Sequence, residues 1–194
     1  MEKKRKSIRY KNYDYSTTGY YFITICSYNK KNIFSEIIEK KVNDVLNEQE
    51  IILSNIGSII NEEILKSEKI RKEIRIDEFI IMPNHLHIII EIFKSENVGA
   101  NGGSPDNNGN VLPMGECHSP LQMKPKSLSS FVSGLKSSVT KRVKEFKKNN
   151  NYVVWQRNYF DRVVRNEEEL YNIRNYVRYN HYNWQCDNEN LNRE

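Results

Sequence analysis

The order of apolar and polar positions divides the chain into short extended runs and three longer helical ones. Residues 20–28 (YYFITICSY) are β-branched and aromatic and follow the turn signal Ser16-Thr17-Thr18-Gly19, so they predict a strand. Residues 33–53 mix apolar and charged positions without a single period and are read as a short hairpin. Over 54–71, Ile56, Ile59, Ile60, Ile64 and Ile70 fall near helical spacing behind a Ser54/Asn55 cap. Strands follow at 74–82 (IRIDEFIIM) and 85–92 (HLHIIIEI), and the break between them, Pro83-Asn84, is short enough that they should pair as antiparallel neighbours. Residues 127–148 predict a helix with Leu128, Phe131, Leu135, Val139 and Val143 on one stripe, and 153–165 is extended at least in part. The last element, 166–184, is a helix opened by Asn166 with three acids in its first turn, where the helix dipole favours them. This order of elements implies an α+β sandwich, a central antiparallel sheet with helices packed on one face.

Between about 94 and 125 the texture changes. Four of the five Pro and five of the eight Gly lie there without periodicity, which marks a long inserted loop within one domain spanning 1–194. The 194 residues suit a single domain, and no apolar run approaches the ~18–20 residues of a membrane span. The basic N-terminus has no apolar stretch behind it and is not a signal peptide. Cys26, Cys117 and Cys186 are odd in number and far apart, which excludes a disulfide scaffold and a CxxC zinc site, with a reducing cytoplasm as the expected location.

Net charge is +5, and its distribution says more than its size. Residues 124–148 hold eight cations against Glu145 alone, and residues 1–10 hold five, Lys3, Lys4, Arg5, Lys6 and Arg9, against Glu2. Positive charge gathered into segments is the footprint of a polyanion binder; a solvated helix face and a basic tail would look the same. Twelve Tyr among these cations would suit single-stranded bases, which stack on rings.

The sharpest chemical signal is MPNHLHIIIEI, 82–92. Residues i and i+2 share a strand face, so His85 and His87 project together, while Leu86, Ile88, Ile90 and Ile92 form an unbroken apolar face that must meet the helices. Paired imidazoles on the more open face are placed to hold one divalent ion; the competing reading is two half-exposed histidines with no ligand. In the last helix Leu170, Ile173, Val177 and Trp184 form the buried stripe, and Tyr176 and Asn180, at i and i+4, lie together beside it. A phenol with a pKa near 10 is a poor nucleophile at neutral pH, but it can attack a phosphodiester whose oxygen a metal polarises. His-hydrophobic-His, Tyr-x3-Asn and cationic segments together suggest metal-assisted phosphodiester chemistry with a tyrosine nucleophile.

The chain resembles the REP-associated tyrosine transposases, a branch of the single-tyrosine HUH (His-hydrophobic-His) transposases. The resemblance runs through RKSIRYKNYDYSTTGYYFITICS, MPNHLHIIIEI, LSSFVSGLKSSVTKRV, WQRNYFDRVVRNEEEL and IRNYVRYNHYNW, in family order. It implies a ferredoxin-like sheet, a Mg2+ or Mn2+ ion, and cleavage of single-stranded DNA with hairpin structure through a 5′-phosphotyrosine. By position His85 and His87 match the family's metal-binding histidines, Tyr176 its nucleophile, and Asn180 the residue one turn on that completes the metal site. Trp155 and Gln156 match its WQ motif, with a structural or DNA-contacting role. The family often has Asn-Pro where this chain has Asn180-His181, which leaves His181 free to crowd or assist the metal. DNA contacts are expected from the N-terminal arm (Lys4, Arg5, Lys6, Arg9), from Lys136, Lys141 and Arg142, and from Trp155, Gln156 and Arg157. The expectation is a transposase, monomer or homodimer. A hairpin-binding protein without turnover is the alternative, and a metal-dependent hydrolase or RNase with a structural Tyr176 is a third reading.

Overall fold

The structure is a computed structural model that describes residues 14–42, 46–93, 126–187 and 189–190. The N-terminal cations Lys4, Arg5, Lys6 and Arg9 and the 94–125 loop lie outside the described residues. The elements run β1 (Gly19–Cys26), β2 (Ser35–Val42), β3 (Leu46–Leu53), α1 (Asn55–Ile70), β4 (Ile74–Ile81), β5 (His85–Ile92), α2 (Leu128–Lys147), β6 (Phe160–Val163) and α3 (Glu167–Tyr179). The chain leaves α3 in a 3-10 segment, Asn180–Cys186, so the helix read over 166–184 tightens at Asn180. Ser54, Ser127 and Asn166 cap the three helices, accepting from Gly57 N–H, Ser130 N–H and Glu169 N–H.

Strands β4, β5, β1 and β6 form one sheet in that order, antiparallel at every junction, while β2 and β3 form a separate hairpin. Met82 N–H donates to His85 C=O across Pro83-Asn84, closing the β4–β5 hairpin at the strand pair the sequence predicts. The apolar face of β5 enters the larger core: Leu86, Ile88, Ile90 and Ile92 pack with Ile60 and Ile64 of α1 and Phe131, Leu135 and Val139 of α2. Gly57 permits this approach, since a Cβ there would sit 2.0 Å from the Phe34 carbonyl oxygen.

The helices do not all share one face. α1 and α2 cover the expected side, but α3 crosses the other, where Leu170, Ile173 and Val177 pack on Phe22, Ile80, Met82 and Ile89. The histidine face is therefore closed rather than open: His85 and His87 are 0% and 3% exposed. The cause is the apolar stripe of α3, which needs a sheet face to bury against.

Two ion pairs fix where α3 lies. β4 carries a bulge between Ile76 and Glu78, with Asp77 as the extra residue. A bulge redirects side chains that would otherwise alternate between faces. Asp77 takes both oxygens to Arg174, at 2.7 Å each, and Glu78 meets Arg178 one turn further along α3. Tyr176 lies between these two anchors in sequence.

Candidate active site

Register brings the site together. Thr24 and Cys26 of β1 stand opposite His87 and His85 of β5. Thr24 Oγ1 lies 2.8 Å from His87 Nδ1, and Asn84 Oδ1 lies 2.8 Å from His85 Nδ1. With both Nδ1 atoms engaged, the two Nε2 atoms face each other at 3.0 Å. Histidines that ligate metals are commonly held this way, with a partner at one ring nitrogen aiming the other. Tyr176 Oη lies 3.2 Å from His87 Nε2, with its ring edge-on to Phe22. One chain thus supplies both the imidazoles and the phenol.

Asn180 is 1% exposed, and its Oδ1 has no hydrogen-bond partner among the described residues. A buried acceptor without a donor is costly, and a cation beside it would remove the cost. Sequence reasoning missed one further donor. Asp187, just past the 3-10 segment, forms with His85 and His87 a set whose ligand atoms lie within 4.8 Å of one another. An unremarkable Asp in a polar tail gives no periodicity or motif to mark it; only the fold of the 3-10 segment returns it to the site. Two imidazoles, a carboxylate and an orphaned amide oxygen form a donor set that could hold a divalent cation. His181 is not in this group: its ring packs at a tilt against Tyr182, with centroids 4.1 Å apart.

A cleft of about 840 Å3 opens onto the site, lined by Thr24, His87, Phe160, Arg162, Tyr176, Asn180 and Asp187 among others. Burial, reinforced by the Asp187 charge, pushes the Tyr176 phenol up, opposed by a hydrogen bond from the Asn180 side chain. Left to itself the phenol is an even weaker nucleophile than free tyrosine. Burial pushes His85 down to about 4 against the attraction of Asp187 and Glu189, and burial followed by the charge of His85 holds His87 well below its ordinary value. Both rings are neutral, as metal ligation requires.

The same shifts set a pH dependence of stability. Unfolded, the His85 ring takes a proton near pH 6.5; folded, it does so only near 4. Its contribution is complete above pH 6.5 and is lost as pH falls from 6.5 towards 4, by up to ~1.4 kcal/mol per pH unit. Urea midpoints of the metal-free protein at pH 7 and 5 are expected to fall accordingly; equal midpoints would show that the rings are not buried neutral.

The expected DNA-contact residues divide in two. Arg142 is held by Glu62 and Glu63 of α1 at 2.5 and 3.0 Å. Lys136 Nζ donates to the carbonyls of Gln156 and Arg157, and Trp155, buried against Phe34, donates Nε1–H to Lys136 C=O. Lys136 and Trp155 thus brace α2 against the 154–157 segment, and Arg142 ties α2 to α1. Lys141, Lys144 and Arg157, with Lys136, line a groove of about 670 Å3 in which no carboxylate appears among the described residues. The groove adjoins the histidine end of the sheet, because Gln156 N–H donates to Cys26 C=O, opposite His85.

No family model matches the chain. It is 32% identical over 192 residues to a protein of Haemophilus influenzae that is named only as uncharacterized, covering 94% of this chain and 91% of that one. The two belong to one family. Among solved structures, the REP-associated tyrosine transposase bound to a REP hairpin aligns with a TM-score of 0.50 at 14% identity, over 90% of this chain and 72% of that one. The chain therefore shares the fold of that transposase, which supports, through the fold, the resemblance carried by the motifs. Among the described residues no helix is long and apolar enough to cross a membrane.

Proposed function

We propose that this chain is a metal-dependent transposase, an endonuclease and strand transferase that cuts single-stranded DNA at hairpin-forming repeats through a covalent 5′-phosphotyrosine. The observation that carries the reading is a cleft lined by His87, Tyr176, Asn180 and Asp187, in which Tyr176 Oη lies 3.2 Å from His87 Nε2 and that nitrogen lies 3.0 Å from His85 Nε2. His85, His87, Asn180 and Asp187 would hold Mg2+ or Mn2+, which when bound polarises a phosphoryl oxygen and offsets the charge that builds on it.

The chain's own groups do the rest. Phe22 and His87 confine the Tyr176 ring, and α3 is anchored on both sides of it. Tyr176 Oη attacks phosphorus, its proton passes to solvent, and the P–O3′ bond breaks. The departing oxygen takes up a proton and leaves a free 3′-OH. The tyrosyl phosphodiester keeps the energy of the broken bond, so a later 3′-OH rejoins the strand and restores Tyr176. The structural neighbour was solved on a REP hairpin; extending that partner to this chain, the groove of Lys141, Lys144 and Arg157 takes the hairpin's phosphates.

A labelled single-stranded hairpin from the DNA flanking the gene, incubated with protein and Mn2+, tests the reading. A denaturant-resistant protein–DNA adduct that disappears with chelator supports it. Tight, salt-sensitive binding with no adduct would favour the hairpin binder instead.

The groove has its own test. Replacing Lys141, Lys144 and Arg157 together by Ala is expected to lower the slope of log affinity against log salt by about 2, near 0.7 per lost contact to single-stranded DNA and slightly more to a duplex stem. Fluorescence anisotropy reads it. Arg142→Ala, which breaks a bridge between helices, should leave that slope unchanged. An unchanged slope in the triple variant takes the groove out of the DNA path.

A further inference from the structure

Asn84 lies in the hairpin turn before His85 and is fully buried. Its side chain joins three segments that are distant in sequence. Nδ2 donates to Lys30 C=O at 3.2 Å and to Glu189 C=O at 2.8 Å, while Oδ1 faces His85 Nδ1 at 2.8 Å. The two carbonyls decide the orientation of the amide. A carbonyl only accepts, so the group facing both must be the NH2, and turning the amide over would set three oxygens together. Oδ1 therefore faces the ring, and as a pure acceptor it requires a proton on His85 Nδ1. His85 Nε2 is then bare, with its lone pair aimed at the site.

His87 is held differently. Its Nδ1 meets the hydroxyl of Thr24, which can donate or accept. With His85 Nε2 bare and 3.0 Å away, His87 Nε2 carries the proton and donates it across the gap. Ligation requires the other tautomer, and the Thr24 hydroxyl can turn to accept from Nδ1–H, keeping its own contact with the ring while the bond between the two Nε2 atoms is given up.

We propose that Asn84 is a positioning residue that locks His85 in its metal-ligating tautomer, and that Thr24 leaves His87 able to switch. Asn84 also ties down the backbone at Glu189, and with it the turn that carries Asp187, whose Oδ1 accepts Glu189 N–H at 2.6 Å. One amide thus sets two parts of the site: the His85 lone pair and the position of the late carboxylate. The value of this arrangement rests on the proposed metal-dependent function, but the tautomers themselves do not.

Long-range 1H–15N correlation of the imidazoles in the metal-free full chain at pH 7.5 is the test. His85 is expected with Nδ1 protonated and His87 with Nε2 protonated. Excess Mg2+ is expected to leave His85 unchanged and convert His87 to the Nδ1–H form, one proton leaving Nε2 for solvent and one arriving at Nδ1. His85 found with a bare Nδ1 overturns the proposal on the wild-type protein alone. Asn84→Ala is expected to lose the tautomer preference of His85 and to weaken Mn2+ binding by ~10–100-fold in calorimetry, the scale of other outer-shell partners. Asn84→Asp, close in shape, keeps an acceptor at Nδ1 but loses the donor to Glu189; it is expected to retain the His85 tautomer while still binding Mn2+ more weakly. Unchanged affinity in both variants would also overturn the proposal. Because the tautomer is read without metal or DNA, a protein that forms no DNA adduct but shows these spectra overturns the functional reading and leaves this one standing.

Discussion

Tyr176→Phe is expected to abolish the covalent protein–DNA adduct while leaving DNA affinity within about twofold. The loss in cleavage rate should reach several orders of magnitude, the scale on which enzymes respond to removal of their nucleophile. The substitution deletes one hydroxyl and keeps the ring, so the contacts of Tyr176 with Phe22 and His87 survive and α3 stays docked through Arg174 and Arg178. Two nearby tyrosines serve as controls. Tyr171 and Tyr179 also lie on α3 and are more exposed, at 63% and 56% against 47% for Tyr176, so accessibility alone would favour them as the attacking group. Only Tyr176 has its hydroxyl 3.2 Å from an imidazole of the paired histidines. Tyr171→Phe and Tyr179→Phe should therefore retain the adduct, as gel electrophoresis in denaturant will show. An adduct that survives Tyr176→Phe and is lost in either control would move the nucleophile and dissolve the proposed site.

The contrast among these tyrosines shows what the sequence carries and what it hides. The alternation of β5 makes the face shared by His85 and His87 readable, and the i, i+4 spacing of Tyr176 and Asn180 is equally local. Helix caps at Ser54 and Asn166 are local too, and the structure has both. What stays hidden depends on which surfaces meet. The apolar stripe of α3 is visible in sequence, but not that it closes over the histidines instead of joining α1 and α2. That choice depends on a bulge at Asp77, and RIDEFII gives no sign that two successive acids will face the same helix. Asp187 is hidden for the same reason, since a chain reversal brings it back to β5. Charge is misleading in the opposite direction. Arg142 reads as part of a basic DNA-binding stripe, yet it neutralises Glu62 and Glu63 between two helices. Trp155, for which the WQ motif leaves a structural or a DNA-contacting role open, packs on Phe34. A run of cations records composition, whereas the field a ligand meets depends on which of them the fold has already paired.

The proposed metal site gives the second large expected effect, and its test separates ligation from packing. His85 and His87 are buried in a polar pocket, so replacement by Ala would open a cavity and destabilise the sheet whatever their role. His87→Gln and His85→Gln keep most of the volume, and each is expected to weaken Mn2+ binding by more than ~100-fold, beyond the loss typical of outer-shell changes, with adduct formation lost in parallel. Asp187→Asn keeps shape and removes one charge. Its effect should be smaller on the fold than either histidine change, because Asp187 lies at the end of the 3-10 segment outside both apolar clusters. If Asp187 is a ligand, Mn2+ affinity falls by ~10-fold or more while the urea midpoint of the metal-free protein changes little. If it acts only by raising the cost of ionising Tyr176, the result is reversed: affinity holds, and the pH at which adduct formation rises shifts downward, because a negative charge beside the phenol has gone. Asn180→Ala makes a third case. Its Oδ1 has no partner among the described residues, but the buried side chain also gives a hydrogen bond to the Tyr176 phenol, so a merely structural Asn180 would cost stability with metal affinity unchanged, whereas a ligand would cost metal affinity as well. Calorimetry with Mn2+ beside urea unfolding of the same four variants therefore assigns each side chain to the ion, to the phenol or to the fold.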